Sequence, residues 1–162
     1  MMKGIYLLLG SNLGIREEII SSALESIEKT CGPILNKSHL YESASWGLDK
    51  QPDFLNQVVE IETNLDPLTL LEQLLDIEKS FGRKRNVKWG SRSIDIDILY
   101  YGDQISMSPR LTVPHPQIAY RRFTLVPLAE ILPHFIHPLL NKTHRQLLEE
   151  CEDQLWVRKF VS

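Results

Sequence analysis

The sharpest chemical signal in the chain is Asp95-Ile96-Asp97. On a strand, residues i and i+2 project from one face, so the two carboxylates stand together while Ile94, Ile96 and Ile98 turn to the core. Aspartate is depleted in strands, and like charges about 7 Å apart on one face repel unless something neutralises them. A hard cation does so: Mg²⁺ takes one or two carboxylates and fills its shell with water and substrate phosphates. Two such ions about 3.5–4 Å apart can share one pair. Alone, the pair reads equally well as the solvated face of a half-exposed strand. Its neighbourhood favours phosphate chemistry, because Arg83, Lys84, Arg85, Lys88 and Arg92 lie just ahead of it. Guanidinium forks pair with the phosphate oxygens that metals bridge. Lys88-Trp89-Gly90 reads as a loop with an aromatic tip, suited to closing over a ligand. Most charge runs are simply solvated loops; one that leads straight into an Asp-x-Asp strand is rarer.

Other segments speak more quietly. Gly10-Ser11-Asn12-Leu13-Gly14 has the make-up of a phosphate-cradling turn at a helix start, but it lacks the Gly-Lys-Ser/Thr of a P-loop and reads better as a tight turn with an N-cap. Phe54 stands two residues before Asn56, and Phe123 follows Arg121-Arg122. A flat heterocycle could stack on either ring and bond the Asn56 amide, although both rings read first as core. Arg110, Thr112 and His115 have nucleotide-reading types, but Pro114 and Pro116 also make a plain rigid turn. No Cys/His cluster and no Ser/His/Asp order stands out.

These residues must be held by a small domain. The chain has 162 residues, 43% of them apolar and 24% charged, with a net charge of −3. That composition is globular rather than disordered and argues against general polyanion binding, so no nucleic acid is expected as a partner. The longest strictly apolar run, residues 5–9, is far too short to cross a bilayer, and no signal peptide is evident. Cys31 and Cys151 have no metal-like spacing and form no disulfide framework, which points to a reducing, cytoplasmic setting. Residues 1–162 are expected to form a single domain and a monomer.

Apolar spacing predicts a strand at 4–9, a helix at 15–30 stopped by Cys31-Gly32-Pro33, a strand at 34–42 and a loop at 43–53. A strand at 55–63 follows, then a helix opened by Pro67 and closed by Gly82, with Leu68, Leu71, Leu74, Leu75 and Ile77 inward. A strand at 94–101, a proline-rich irregular stretch and a short helix at 143–151 complete the chain. The order β-α-β-β-α-β is that of an α+β fold, a ferredoxin-like antiparallel sheet with helices packed on it, plus an irregular C-terminal extension. A doubly wound parallel sheet fits less well, because no helix separates 34–42 from 55–63.

Five blocks, in order, resemble the 6-hydroxymethyl-7,8-dihydropterin pyrophosphokinase (HPPK) family. They are Gly10-Ser11-Asn12, Gln51-Pro52-Asp53-Phe54-Leu55-Asn56, Gly82-Arg83-Lys84-Arg85, Trp89-Gly90-Ser91-Arg92-Ser93-Ile94-Asp95-Ile96-Asp97-Ile98-Leu99, and Leu111-Thr112-Val113-Pro114-His115. The resemblance implies transfer of pyrophosphate from ATP to 6-hydroxymethyl-7,8-dihydropterin, giving the pterin diphosphate and AMP, in folate biosynthesis. It implies that Asp95 and Asp97 hold two Mg²⁺ ions. Phe54 and Phe123 would sandwich the pterin, with Asn56 at its edge and Ser43, Ala44 and Trp46 completing the pocket. Arg83 and Arg92 would steady the β- and γ-phosphates. Glu78, Arg85, Trp89, Ile98, Arg110, Thr112 and His115 would line the ATP site. Asp97 is also a candidate proton acceptor, though metal ligation lowers its basicity. Ser91 stands where the family commonly has proline, and Ala44-Ser45-Trp46 replaces a commonly proline-rich stretch. Leu75 and Pro116 occupy positions where some members carry polar or aromatic nucleotide contacts. Rival readings are a ferredoxin-like nucleic-acid binder, a non-catalytic ligand-binding domain, and a nucleotidyltransferase, which would release pyrophosphate rather than AMP.

Overall fold

The computed structural model describes residues 2–44, 53–82 and 94–161. In chain order these form β1 (Met2–Ser11), α1 (Arg16–Thr30), β2 (Ile34–Lys37), β3 (Tyr41–Ser43), β4 (Phe54–Thr63), α2 (Pro67–Gly82) and β5 (Asp95–Tyr101). Then come β6 (Ser106–Met107), β7 (Thr112–Val113), a 3-10 turn at Ile118–Tyr120, α3 (Arg122–Ile131), α4 (His144–Glu150) and β8 (Val157–Lys159). The main sheet runs β5-β1-β4-β3-β8, with β2 also on β4, and every pairing in it is antiparallel. β6 and β7 make a separate hairpin. The fold is α+β, as the element order predicts.

Both faces of the sheet are covered, which explains the unbroken apolar run of β1 from Ile5 to Leu9. On one face Ile5, Leu7, Leu9, Val59, Ile96 and Ile98 pack with Ile20, Leu24 and Ile27 of α1 and Leu70, Leu74 and Ile77 of α2. On the other, Tyr6, Leu8, Val58 and Tyr100 pack with Leu125 and Leu128 of α3 and Leu147 of α4. Gly32, two residues beyond the end of α1, has a φ of +147°, and a Cβ there would fall onto the carbonyl of Glu62. Only glycine lets the chain turn so tightly against β4.

Four expectations are corrected. The strand at 34–42 is split into β2 and β3, because Ser38 intervenes: its Oγ accepts from Val58 N (3.0 Å) and its carbonyl from Gln57 Nε2 (2.7 Å). A side-chain hydroxyl thus replaces a ladder bond and breaks the strand. On α2, Leu74 and Ile77 are buried as expected, but the third buried position is Leu70 and not Leu68, which is 42% exposed. A leucine-rich helix offers two stripes, and packing decides between them: Leu70, Leu74 and Ile77 are the residues that enter the core against the sheet and α1. The tail is also more ordered than its prolines indicate. α3 forms despite the internal Pro127, and β8 returns to the main sheet beside β3, while α4, with its Thr143–Gln146 capping box, is the short helix expected at 143–151. Finally, Gly10 and Ser11 do not form a turn but continue β1, and α1 starts at Arg16, with Ile15 ahead of it giving no side-chain cap. Among the described residues, no helix is long and apolar enough to cross a membrane.

Candidate active site

Strand register gathers the site. Gly10 on β1 lies opposite Asn56 of β4 and Asp95 of β5, and Leu8 lies opposite Val58 and Asp97. The period of two puts Leu8, Gly10, Asn56, Asp95 and Asp97 on the face that carries α3. Here they floor a cavity of about 200 Å³, whose walls include Ser43 and Ala44 at the end of β3, Phe54 at the start of β4, and Arg121 and Phe123 at the start of α3. Seven residues expected at the pterin and metal sites therefore meet in one pocket: Ser43, Ala44, Phe54, Asn56, Phe123, Asp95 and Asp97.

Asn56 is buried and directed. Its Nδ2 donates to Ser43 Oγ (2.8 Å) and more distantly to Tyr41 O (3.4 Å). Its Oδ1 lies over Gly10, where a Cβ would come within 3.2 Å of it and 3.6 Å of the Phe54 ring. Gly10 therefore keeps the pocket floor open. Arg121, to which the sequence reading gave no role, is the addition the structure makes. Its guanidinium sits 5.6 Å from the Phe123 ring centroid, and its Nε is buried without a hydrogen-bond partner among the described residues. Its only signal in the sequence is its place ahead of Arg122-Phe123.

Asp95 is exposed and Asp97 half-buried, while Ile94, Ile96 and Ile98 are in the core, as the strand alternation requires. α2 fixes this strand from its free edge: the buried Glu78 accepts from the Ile96 amide, between the two aspartates, at 2.6 Å. His115 joins the same edge, its amide donating to Leu99 O (2.8 Å). Its Nδ1 accepts from Gln117 N (3.1 Å), so the neutral ring carries its proton on Nε2. Burial lowers the His115 pKa; Asp97 pulls it up and Arg121 pushes it further down, and the net direction is down. Thr112 lies on β7, and Arg110 beside it pairs with Glu72 of α2 at 3.2 Å. The Ile98 side chain is buried in the core, so any ligand contact there comes from its main chain. Trp46, Arg83, Arg85, Trp89 and Arg92 lie outside the described residues.

Among the described residues, no three or more His, Cys, Asp or Glu side chains gather as a protein-only metal cage requires. A magnesium site completed by phosphate and water needs only one or two carboxylates with space beside them. Asp95 and Asp97 meet that test: they share a face, border the cavity, and no cation among the described residues forms an ion pair with Asp97. The donor set is all oxygen, which suits a hard cation.

Fold and site together define an α+β protein whose pocket sets an acidic pair beside aromatic and amide groups. The chain belongs to the 7,8-dihydro-6-hydroxymethylpterin-pyrophosphokinase (HPPK) family, whose model matches residues 6–133. It is 43% identical over 149 residues to the 2-amino-4-hydroxy-6-hydroxymethyldihydropteridine pyrophosphokinase of Aquifex aeolicus, covering 92% of each chain. It is 42% identical over 157 residues to the enzyme of the same name from Haemophilus influenzae, covering 96% of this chain and 95% of that one. Among solved structures, the HPPK-DHPS of Plasmodium falciparum shares the fold with a TM-score of 0.75 at 20% identity, over 92% of this chain. The chain spans 45% of the length of that structure.

Proposed function

We propose that this chain transfers the pyrophosphoryl group of ATP to 6-hydroxymethyl-7,8-dihydropterin, releasing AMP, as a step of folate biosynthesis. Family membership makes it a pyrophosphokinase, and the family's use of ATP as co-substrate supports the same donor here. The observation that carries the assignment to this pocket is that Asp95 and Asp97 border the same cavity as Phe54, Asn56 and Phe123. A pterin in that cavity stacks on the phenyl rings and meets the Asn56 amide, so its hydroxymethyl group extends toward the acidic pair.

In the reaction the hydroxymethyl oxygen attacks the β-phosphorus. The bond from that phosphorus to the oxygen bridging to the α-phosphate breaks, AMP leaves with that oxygen, and the hydroxyl proton passes to a base or solvent. Such transfers have loose transition states and depend on positioning and charge neutralisation more than on a protein nucleophile. Asp95 and Asp97 would hold two Mg²⁺ ions. When bound, they neutralise the triphosphate and lower the pKa of the attacking hydroxyl. Arg121 brings a further positive charge to the same pocket. Arg83 and Arg92 are assigned to the β- and γ-phosphates on the resemblance. Glu78, Arg85, Trp89, Ile98, Arg110, Thr112 and His115 are likewise assigned to ATP. Of these, Glu78, Ile98 and His115 lie along the free edge of β5, which supports a nucleotide running along it.

The strand order β5-β1-β4-β3 supports the ferredoxin-like reading of the first hundred residues. We read residues 1–162 as one catalytic domain, monomeric and cytoplasmic. The test is a product assay with purified protein, ATP, Mg²⁺ and the hydroxymethyl pterin. AMP that forms only when both pterin and metal are present is the expected result. ADP or pyrophosphate in its place would overturn the reaction type.

A further inference from the structure

Arg16, the first residue of α1, does not line the pocket, yet it grips both strands that bring the pocket its walls. Its Nη2 pairs with Glu42 Oε2 at 3.0 Å, and Glu42 directly precedes Ser43 on β3. Its Nη1 donates to the carbonyl of Asp53 at 3.0 Å, and Asp53 directly precedes Phe54 on β4. The guanidinium also lies 5.6 Å from the ring centroid of Phe160, beyond β8. The pair is well sequestered, with side chains 22% exposed for Arg16 and 15% for Glu42. A second guanidinium, Arg158 on β8, donates to Glu42 Oε1 at 3.0 Å, but it is 68% exposed.

β3 has three residues, and its register on β4 sets Ser43 opposite Phe54 and Tyr41 opposite Asn56. So short a strand has few ladder bonds to hold that register, while the Asn56–Ser43 hydrogen bond at 2.8 Å depends on it. One planar fork that bonds a carboxylate on β3 and a carbonyl at the start of β4 fixes the spacing a three-residue ladder leaves loose. We propose that Arg16 is a positioning residue for the pterin, setting Ser43 and Phe54, and through Ser43 the Asn56 amide, at the spacing the heterocycle requires. This rests on the reading that the cavity takes the pterin. The partners of Arg16 lie on β3, β4 and the β8 end, on the opposite side of β1 from β5 and its acidic pair. Losing Arg16 therefore reaches the pterin and not the nucleotide.

The experiment measures kcat and both KM values for wild type, Arg16→Ala, Arg16→Lys, Glu42→Gln and Arg158→Ala, with Tm for each. Arg16→Ala is expected to raise the pterin KM by about tenfold to a hundredfold, as small misplacements of a binding group do, with the ATP KM within about twofold. Arg16→Lys keeps the charge but not the fork, and recovers part of the loss. Glu42→Gln raises the pterin KM in the same selective way and decides the matter if Arg16→Ala does not fold. Arg158→Ala, which removes the exposed partner, leaves both constants unchanged. An unchanged pterin KM in Arg16→Ala or Glu42→Gln overturns the proposal, as does an equal rise in both KM values that follows Tm. Failure of the wild type itself to release AMP would instead overturn the reading of the pocket.

Discussion

His144 gives the fold a pH dependence whose size follows from its surroundings. It is fully buried at the start of α4, with Nδ1 2.8 Å from Leu132 O and Nε2 2.7 Å from the Tyr100 hydroxyl. A carbonyl only accepts, so Nδ1 carries the proton and Nε2 accepts from the tyrosine. The neutral ring is therefore satisfied at both nitrogens. Burial takes its pKa from 6.5 down to about 4; the Leu132 bond opposes this and His137 adds to it. Below 6.5 the unfolded chain gains a proton that the folded chain does not take up until about pH 4. The contribution to stability is thus complete above pH 6.5 and is lost as pH falls from there to about 4. The gap between 6.5 and about 4, at 1.36 kcal/mol per pH unit, amounts to about 3 kcal/mol. Half-way down, at pH 5, about 2 kcal/mol of it is gone. Urea unfolding at pH 7 and pH 5, for wild type and His144→Gln, isolates this group, since the variant has no imidazole to charge. Wild type should lose about 2 kcal/mol more than the variant over that interval. Equal losses in the two proteins would refute the reasoning. Tyr100 lies on β5 three residues beyond Asp97, so the same contact ties α4 to the strand that carries the acidic pair.

Two further substitutions probe the fold and the pocket floor separately. Gly32→Ala puts a Cβ onto the Glu62 carbonyl at a φ of +147° and should cost more than about 3 kcal/mol in denaturant unfolding; a loss below about 1 kcal/mol would mean that the turn relaxes freely. Gly10→Ala sets a methyl 3.2 Å from Asn56 Oδ1. It should raise the pterin KM by about tenfold, a 1.4 kcal/mol effect, with the ATP KM unchanged; an unaltered pterin KM would separate Asn56 from pterin binding.

How much of this was legible in the sequence depended on whether the cause was local. The Asp95/Asp97 face could be read because a strand has a period of two, and Ile94, Ile96 and Ile98 confirm the alternation by their burial. The placing of α1 and α2 between strands was legible from Gly32-Pro33 and Pro67, which punctuate the chain. The split at Ser38 was not, because its cause is a hydrogen bond to Val58, twenty residues on. The burial of Leu70 rather than Leu68 was hidden by a helix in which leucines occupy both stripes. Pro127 concealed α3, and β8 is too short to show alternation. The pocket positions of Gly10 and Arg121 come from register and helix docking, which no local pattern carries. Family resemblance reached Ser43, Ala44, Phe54, Asn56 and Phe123, and the fold brings those five to one cavity.

The most direct test of the account is the rate of AMP formation by Asp97→Ala against wild type, with saturating ATP, Mg²⁺ and pterin and with Tm measured in parallel. Asp97 is half-buried at the edge of the cavity and forms no ion pair among the described residues, so its loss should leave the fold intact. Turnover should fall by roughly a thousandfold or more, as it does when a group that stabilises developing charge is removed. A variant that keeps its Tm and turns over within about tenfold of wild type, a 1.4 kcal/mol difference, would contradict the assignment of the acidic pair to the reacting phosphates.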